Sequence, residues 1–265
     1  MSACRYVFWF ETEEPRLRQI ININRKWAFS KMAEAVPTAI DNKWDFVNIP
    51  HCWNAIDGQD GDNDYYRGTG YYAKTINKSD LPEAARYYLE LCGTNSSADV
   101  YLNGTHLAHH DGGYSTWRVN LTDHLEQSNL LVVAVNNAAN DTVYPQMADF
   151  TFYGGMYRDV NIICVPESHF DLDYYGAPGI AVTPTIDGAD AIVKVDTYLT
   201  DSKMGQTIVY TIYDAEENVI AQTESTDTSV ELTIPNVHRW HGRKDPYLYC
   251  CEAELVENGD VIDNV

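Results

Sequence analysis

The chain has 265 residues, 45% of them hydrophobic, which sets an expectation of one or two globular domains with ordinary cores. Its 39 acidic and 18 basic residues give a formal net charge of -21, which repels phosphate backbones and anionic membrane surfaces and excludes both as expected partners. The six cysteines show no Cys-x-x-Cys or Cys/His ligand spacing, so reduced, buried thiols in a cytoplasmic protein are expected.

In chain order, the run from Cys4 to Phe10 is apolar but short, and Glu11, Glu13 and Glu14 follow at once, so it reads as neither signal peptide nor membrane span. Residues 31–36 are expected to form a helical turn or two before Pro37. From there the period is two: Tyr87, Leu89 and Leu91 fall on one face, as do Ala98, Val100 and Leu102. Asn103-Gly104 is the pair that most readily adopts the positive φ angles of a two-residue turn, so residues 98–108 are predicted to be a β-hairpin. Residues 122–125 read as a short turn. The continuous apolar run Leu130-Leu131-Val132-Val133-Ala134-Val135 predicts a strand covered on both faces, which a sandwich supplies. Residues 1–166 are therefore expected to form a jelly-roll β-sandwich.

A second unit is expected over residues 167–265. After a loosely patterned stretch with a connecting strand, alternation returns at Val193 to Leu199, Ile208 to Ile212 and Val230 to Ile234, and a further strand is expected over residues 247–256. Asn258-Gly259 predicts a hairpin turn into a last strand that is barely begun at Val265. Such a pattern reads as an immunoglobulin-like sandwich, truncated at its last strand, which would leave an unpaired edge. The fold class is thus all-β, two successive sandwiches.

Several segments carry a resemblance, in order. They are Asn24-Arg25-Lys26-Trp27-Ala28-Phe29, Pro50-His51-Cys52-Trp53-Asn54, Tyr66-Arg67-Gly68-Thr69-Gly70-Tyr71-Tyr72, His110-Asp111-Gly112-Gly113-Tyr114, and above all Asp149 to Val160 with its Phe152-Tyr153-Gly154-Gly155 core. Trp240 with Pro246-Tyr247-Leu248-Tyr249 closes the series. Together they resemble the first two domains of glycoside hydrolase family 2, the β-galactosidase and β-glucuronidase group. That resemblance implies a sugar-binding jelly-roll and an immunoglobulin-like domain, followed in the full enzyme by a (β/α)8 barrel bearing two glutamates. A retaining glycosidase needs its two carboxyl groups about 5 to 5.5 Å apart, one to attack the anomeric carbon and one to protonate the leaving oxygen. No acid pair here stands out for that work: Glu13/Glu14 and Glu216/Glu217 read as solvated charges.

The resemblance implies that Asp149 reaches into the active site, holds sugar hydroxyls and, in some members, ligates sodium, which makes it also the candidate metal ligand. A carboxylate suits that work because it accepts two hydroxyl hydrogen bonds with charge assistance. Gly154-Gly155 is expected to let the backbone turn tightly beneath it. The loop 57–65 is the other candidate for reaching the sugar, through Asn63, Asp64 and Tyr65; its Asp/Asn/Gly content lacks the ligand order of a calcium loop. Arg158 and Asp159 are expected to form a structural ion pair, and His109-His110 to diverge across a strand rather than share a metal.

The reading is thus the non-catalytic N-terminal part of a β-galactosidase that hydrolyses terminal β-D-galactosides with retention. It braces the barrel and completes the pocket, and is inactive alone. Its expected partners are the barrel of the same parent and a β-galactoside or related sugar, within a parent homo-oligomer. No cofactor is required by the chain itself, and Na+ or Mg2+ belongs to the full enzyme. A self-standing lectin-like carbohydrate-binding module is the alternative.

Overall fold

The computed structural model describes residues 17–55, 57, 64–144 and 151–265. The chain divides into two compact units, one over residues 19–164 and one formed by residues 165–265 with Arg18.

The strands of the first unit are β1 (Gln19–Asn22), β2 (Trp27–Ser30), β3 (Asp45–Val47), β4 (Thr69–Asn77), β5 (Arg86–Leu91), β6 (Thr94–Asn95), β7 (Ser97–Leu102), β8 (Thr105–Asp111), β9 (Trp117–Asn120), β10 (Ser128–Asn136), β11 (Gly155–Met156) and β12 (Val160–Val165). They build a four-stranded sheet, β1-β12-β5-β9, and a six-stranded sheet, β3-β2-β4-β10-β7-β8; β6 and β11 pair separately. This is the expected jelly-roll sandwich. Alternate residues enter the core from both sheets: Trp27, Tyr72, Val100, Leu131 and Val133 from one, Leu89, Leu91, Trp117 and Ile162 from the other.

Asn103 and Gly104 turn the β7–β8 hairpin with φ of 52° and 84°, as their pairing predicts. β10 lies in the interior of its sheet, and its residues 131–135 are buried on both faces. The second cover is not another sheet. Val36, Ile40 and Trp44 lie across Ala28, Ala73 and Val132 on the outer face, so residues 31–36 lead into an irregular covering segment rather than the expected helical turn. Burying those three side chains outweighs the modest helix propensity of Lys-Met-Ala-Glu-Ala-Val. Residues Thr122–His124 form the short 3-10 turn anticipated there.

The second unit holds β13 (His169–Phe170), β14 (Ile180–Asp187), β15 (Asp190–Thr197), β16 (Leu199–Thr200), β17 (Thr207–Tyr213), β18 (Val219–Ser225), β19 (Ser229–Ile234), β20 (Cys250–Glu257) and β21 (Asp260–Asn264). A three-stranded sheet, β14-β15-β19, and a four-stranded sheet, β18-β17-β20-β21, enclose Val193, Val195, Tyr210, Ile212, Leu232 and Leu255, the immunoglobulin-like arrangement. Pro184 sits inside β14, which tolerates it because β14 is an edge strand paired on one side only.

Three expectations for this unit need correction. β18 was not anticipated. β20 begins at Cys250 rather than at residue 247, because Tyr247 is stacked on His238 at 4.0 Å between ring centroids and the Tyr249 hydroxyl accepts the His238 N–H at 3.0 Å. The last strand is formed: β21 pairs with β20 through the Asn258–Gly259 turn, so the edge of β20 is covered. β21 is also locked from within, since the buried Asp263 carboxylate accepts Arg18 Nε at 3.1 Å, Arg18 Nη2 at 2.9 Å and the Phe170 N–H at 2.8 Å.

None of the five described cysteines forms a disulfide, and burial pushes the Cys164 and Cys251 thiols up to about 11. Cys250 corrects the expectation of uniformly buried thiols: it is exposed, whereas Cys251, pointing the other way, packs on the core. No helix among the described residues is long and apolar enough to cross a membrane.

Candidate functional site: an amide seam in the first unit

The segment with the Gly-Gly pair is knitted to the Pro-His-Cys-Trp-Asn segment by backbone and side chain. The His51 N–H donates to the Met156 carbonyl at 2.7 Å, and the Trp53 N–H to the Gly154 carbonyl at 3.2 Å. Such closeness demands glycine. A Cβ on Gly154 would lie 2.1 Å from the Trp53 ring, and one on Gly155, whose φ is +139°, would lie 2.3 Å from the His51 carbonyl oxygen. The tight backbone expected of this pair is observed, with its cause in the indole beneath it.

Two buried amides complete the seam. Asn54 is 1% exposed and Asn137 0%. Asn54 Oδ1 accepts the Gly154 N–H at 2.8 Å and Asn137 Nδ2 at 3.1 Å; Asn54 Nδ2 donates to Asp57 Oδ2 at 2.8 Å and to the Tyr66 carbonyl at 2.9 Å. Asn137 Nδ2 also donates to the Phe152 carbonyl at 3.0 Å, and its Oδ1 accepts the Gly68 N–H at 2.9 Å. The Tyr66 N–H returns to Asp57 Oδ2 at 3.1 Å. A planar amide offers two donors and two acceptor sites, and these two side chains use theirs to tie together three stretches far apart in sequence.

Around the amides stands an aromatic wall. Trp53 stacks on Phe29 at 5.8 Å and meets Tyr66 edge-on at 6.4 Å; its indole N–H is buried without a partner among the described residues. His51 Nδ1 lies 2.8 Å from the Tyr72 hydroxyl, and burial, with Lys31 nearby, lowers the His51 pKa. Lys31 sits over the Tyr66 ring at 5.2 Å, and the Arg67 guanidinium over Tyr65 at 5.9 Å and Phe152 at 5.6 Å.

Asp149 and Asn63 lie outside the described residues. Asp64 is exposed and accepts its neighbour's N–H, that of Tyr65, at 2.8 Å; Tyr65 is half-buried beneath Arg67. What the described structure brings together is the frame at either end of the loop 57–65 and behind residue 151. Asn137 was not singled out from the sequence, because an asparagine after an apolar run reads as a strand boundary. Asn54 and Tyr66 stood inside quoted motifs without a role.

Arg158 and Asp159 do not pair with each other, contrary to expectation: Arg158 Nη1 donates to the Tyr114 carbonyl at 2.8 Å, and Asp159 Oδ1 accepts Asn24 Nδ2 at 2.8 Å. Both lie in the short link between β11 and β12, outside either strand, and each takes its own partner. The same divergence separates the histidines. His109 bridges Asp99 at 2.9 Å and Asp111 at 3.1 Å, while His110 stacks on Trp117 at 4.9 Å. Among the described residues no group of three or more His, Cys, Asp and Glu side chains is arranged to hold a metal ion.

The second unit carries an apolar groove of about 470 Å³ lined by Val182, Ile186, Trp240 and Leu248 among others, with Trp240 65% and Leu248 66% exposed. Its lining is mostly apolar, with His238 and Arg239 at the groove and no carboxylate among the lining residues.

Comparison with known proteins gives concordant matches. The family model described as "Glycosyl hydrolases family 2, sugar binding domain" matches residues 17–166, and that described as "Glycosyl hydrolases family 2" matches residues 178–265. A β-glucuronidase of Bacteroides fragilis is 28% identical, the alignment covering 100% of this chain and 42% of that protein. Among solved structures, an FMN-binding β-glucuronidase from Facaelibacterium prausnitzii L2-6 superposes with a TM-score of 0.84 at 36% identity, covering 94% of this chain and 39% of that one. A putative β-galactosidase from Bacteroides fragilis superposes with a TM-score of 0.80 at 32% identity, covering 94% and 40%. The chain thus spans about two fifths of the length of these relatives.

Proposed function

The chain belongs to glycosyl hydrolases family 2, and from that membership we propose that it is the non-catalytic, sugar-flanking portion of a retaining β-glycosidase. The observation that supports this reading is the seam: Asn54 and Asn137 hold Phe152 and Gly154 against residues 51–54 and 66–68, close in sequence to Asp149, which the family resemblance implies in the sugar pocket, and to the loop 57–65, the other candidate for reaching the sugar. Asp149 then supplies hydroxyl acceptors, and the acid/base and nucleophilic glutamates belong to the barrel of the whole protein. The chain itself performs no hydrolysis.

For the substrate, the similarity to β-glucuronidases supports a terminal β-D-glucuronide. The β-galactoside expected from the sequence is the second reading, favoured by the likeness to the putative β-galactosidase. The test compares the 265-residue chain with the product of the full coding sequence on p-nitrophenyl β-D-glucuronide and β-D-galactoside. The expected result is no nitrophenol from the chain and a higher kcat/KM for the glucuronide in the whole protein. Turnover by the pure chain, or a whole protein inert on both, overturns the proposal.

A further inference from the structure

Three cations gather at the turn between β1 and β2 in the first unit. Arg25 and Lys26 line a shallow depression of about 500 Å³ with Asn22, Asn24, Asn48 and Ile49. Beside them Lys74 lies over the Trp27 ring, its Nζ 5.6 Å from the ring centroid, and donates to the Arg25 carbonyl at 2.5 Å. No carboxylate is among the lining residues, and none of the three cations forms an ion pair with a described residue. The one described carboxylate bonded to a lining residue, Asp159, is held by Asn24 Nδ2 at 2.8 Å.

With 39 acids for 18 bases, this chain has carboxylates to spare, yet here like charges crowd one another. Burial, with the charge of Lys26 adding to it, lowers the Lys74 pKa. The frame that crowds them is built rather than loose. Lys26 has a φ of 58°, a left-handed conformation that lysine rarely takes, and its N–H is held by Asn48 Oδ1 at 3.0 Å. The Ile49 N–H donates to the Asn24 carbonyl at 2.8 Å, and Asn24 Oδ1 accepts the Val160 N–H at 2.9 Å. Asn48 Nδ2 keeps two donors without a partner among the described residues. A guanidinium, an ammonium and an amide thus border one depression and offer it donors, the chemistry that recognises an oxoanion. The net charge of -21 repels an extended polyanion, but a single small ion responds mainly to charges within roughly 8 Å.

We propose that the β1–β2 turn binds a small dianionic oxoanion, inorganic phosphate or sulfate, through Arg25, Lys26 and the Asn48 amide, with Lys74 adding its charge from beside them. The ion neutralises charges that otherwise repel one another, so it stabilises the folded first unit. This site stands apart from the seam and does not depend on the glycosidase reading.

The test is titration of the 15N-labelled 265-residue chain with sodium phosphate at pH 7.5, ionic strength held constant with sodium chloride, followed at the backbone amides of Lys26 and Asn48 and the Asn48 side-chain amide. The expected response saturates with a Kd on the order of 1 mM, sulfate matches it, and singly charged acetate binds about tenfold more weakly. Arg25→Gln with Lys26→Asn weakens phosphate binding at least tenfold, and Lys74→Met about threefold. Asparagine tolerates the left-handed φ and both replaced side chains are exposed, so the double variant is expected to fold, with a urea midpoint in chloride no lower than the parent's. Phosphate then raises the midpoint of the parent more than that of the double variant. Shifts that climb without saturating up to about 50 mM, or equal affinity of the double variant and the parent, mean an adventitious ion only and overturn the site. An equal rise of both midpoints overturns it too, since phosphate stabilises folded chains in general by exclusion from their surface.

Discussion

Replacing Asn54 probes whether the seam is held by its amides. In Asn54→Ala the buried Gly154 N–H loses its acceptor, whereas the other partners keep one bond each: the Tyr66 carbonyl keeps Asn137 Nδ2 at 3.3 Å, Asp57 keeps the Tyr66 N–H, and Asn137 keeps the Phe152 carbonyl. One orphaned buried donor costs about 1–3 kcal/mol, and losing three satisfied bonds adds roughly 0.5 kcal/mol each, so the expected loss is about 3 kcal/mol. Asn54→Asp keeps the shape and the acceptor but turns a carboxylate oxygen toward Asp57 Oδ2 and the Tyr66 carbonyl, where an N–H had donated at 2.8 and 2.9 Å. Two adjacent carboxylates raise one folded-state pKa above its unfolded value, so the penalty is present above that pKa and is relieved as pH falls through it. Four of the six tryptophans, at 27, 44, 53 and 117, lie in the first unit, so tryptophan fluorescence in urea reports mainly its unfolding. Asn54→Ala within about 1 kcal/mol of the parent would refute the reasoning. So would an aspartate variant no worse than alanine at pH 8 and unimproved at pH 5.

Gly154→Ala drives a methyl group into the Trp53 ring and is expected to cost about 1–3 kcal/mol with a shifted tryptophan emission; an unshifted spectrum and unchanged urea midpoint would count against the packing. In the second unit, Asp263→Leu strands the Arg18 charge and is expected to cost about 3–5 kcal/mol, while Arg18→Met with Asp263→Leu costs clearly less. Equal losses in the single and double variants, measured by calorimetry, would argue against a coupled pair. His109 hydrogen-bonds to Asp99, which raises its pKa with Asp111 reinforcing it. A raised histidine stabilises most fully below its unfolded pKa and less as pH rises through the folded one, so the His109→Gln deficit, under about 1 kcal/mol at this exposed site, is expected at pH 5.5 and gone by pH 9. A deficit that does not change with pH would contradict this.

The strands were legible wherever one face meets the core or a turn demands positive φ: Val193 and Val195, Ala98 to Leu102, Asn103-Gly104 and Asn258-Gly259 all fold as their pattern implies. β18 escaped because it has no cleanly buried alternate face; Val219 is 54% exposed and the residues after it are at most half-buried, so period two is blurred. Residues 31–36 misled for the opposite reason. Their local propensity is helical, but Val36, Ile40 and Trp44 are drawn onto Ala28, Ala73 and Val132, a long-range preference invisible in a local window. The seam was less legible still. Asn54 and Asn137 are 83 residues apart and join through a single Nδ2–Oδ1 bond, and no periodicity announces such a pair. What the sequence did carry was the requirement for glycine at 154 and 155, since removing a Cβ is the only way to seat that backbone on Trp53 and the His51 carbonyl.

The charge balance bears on one question and not on another. A field set by -21 spread over the whole molecule disfavours an extended polyanion, which meets many of those charges at once. A single glucuronate carboxylate in a pocket responds mainly to charges within roughly 8 Å, the screening length at physiological salt. At the seam the described cations are Arg67, over the Tyr65 and Phe152 rings, and Lys31, over Tyr66, with Lys31 close enough to help depress the His51 pKa. Acidity of the chain as a whole therefore weighs nothing against a glucuronide. The choice between glucuronide and galactoside turns on groups that meet the sugar's C6 position, where the one substrate bears a carboxylate and the other a hydroxymethyl group.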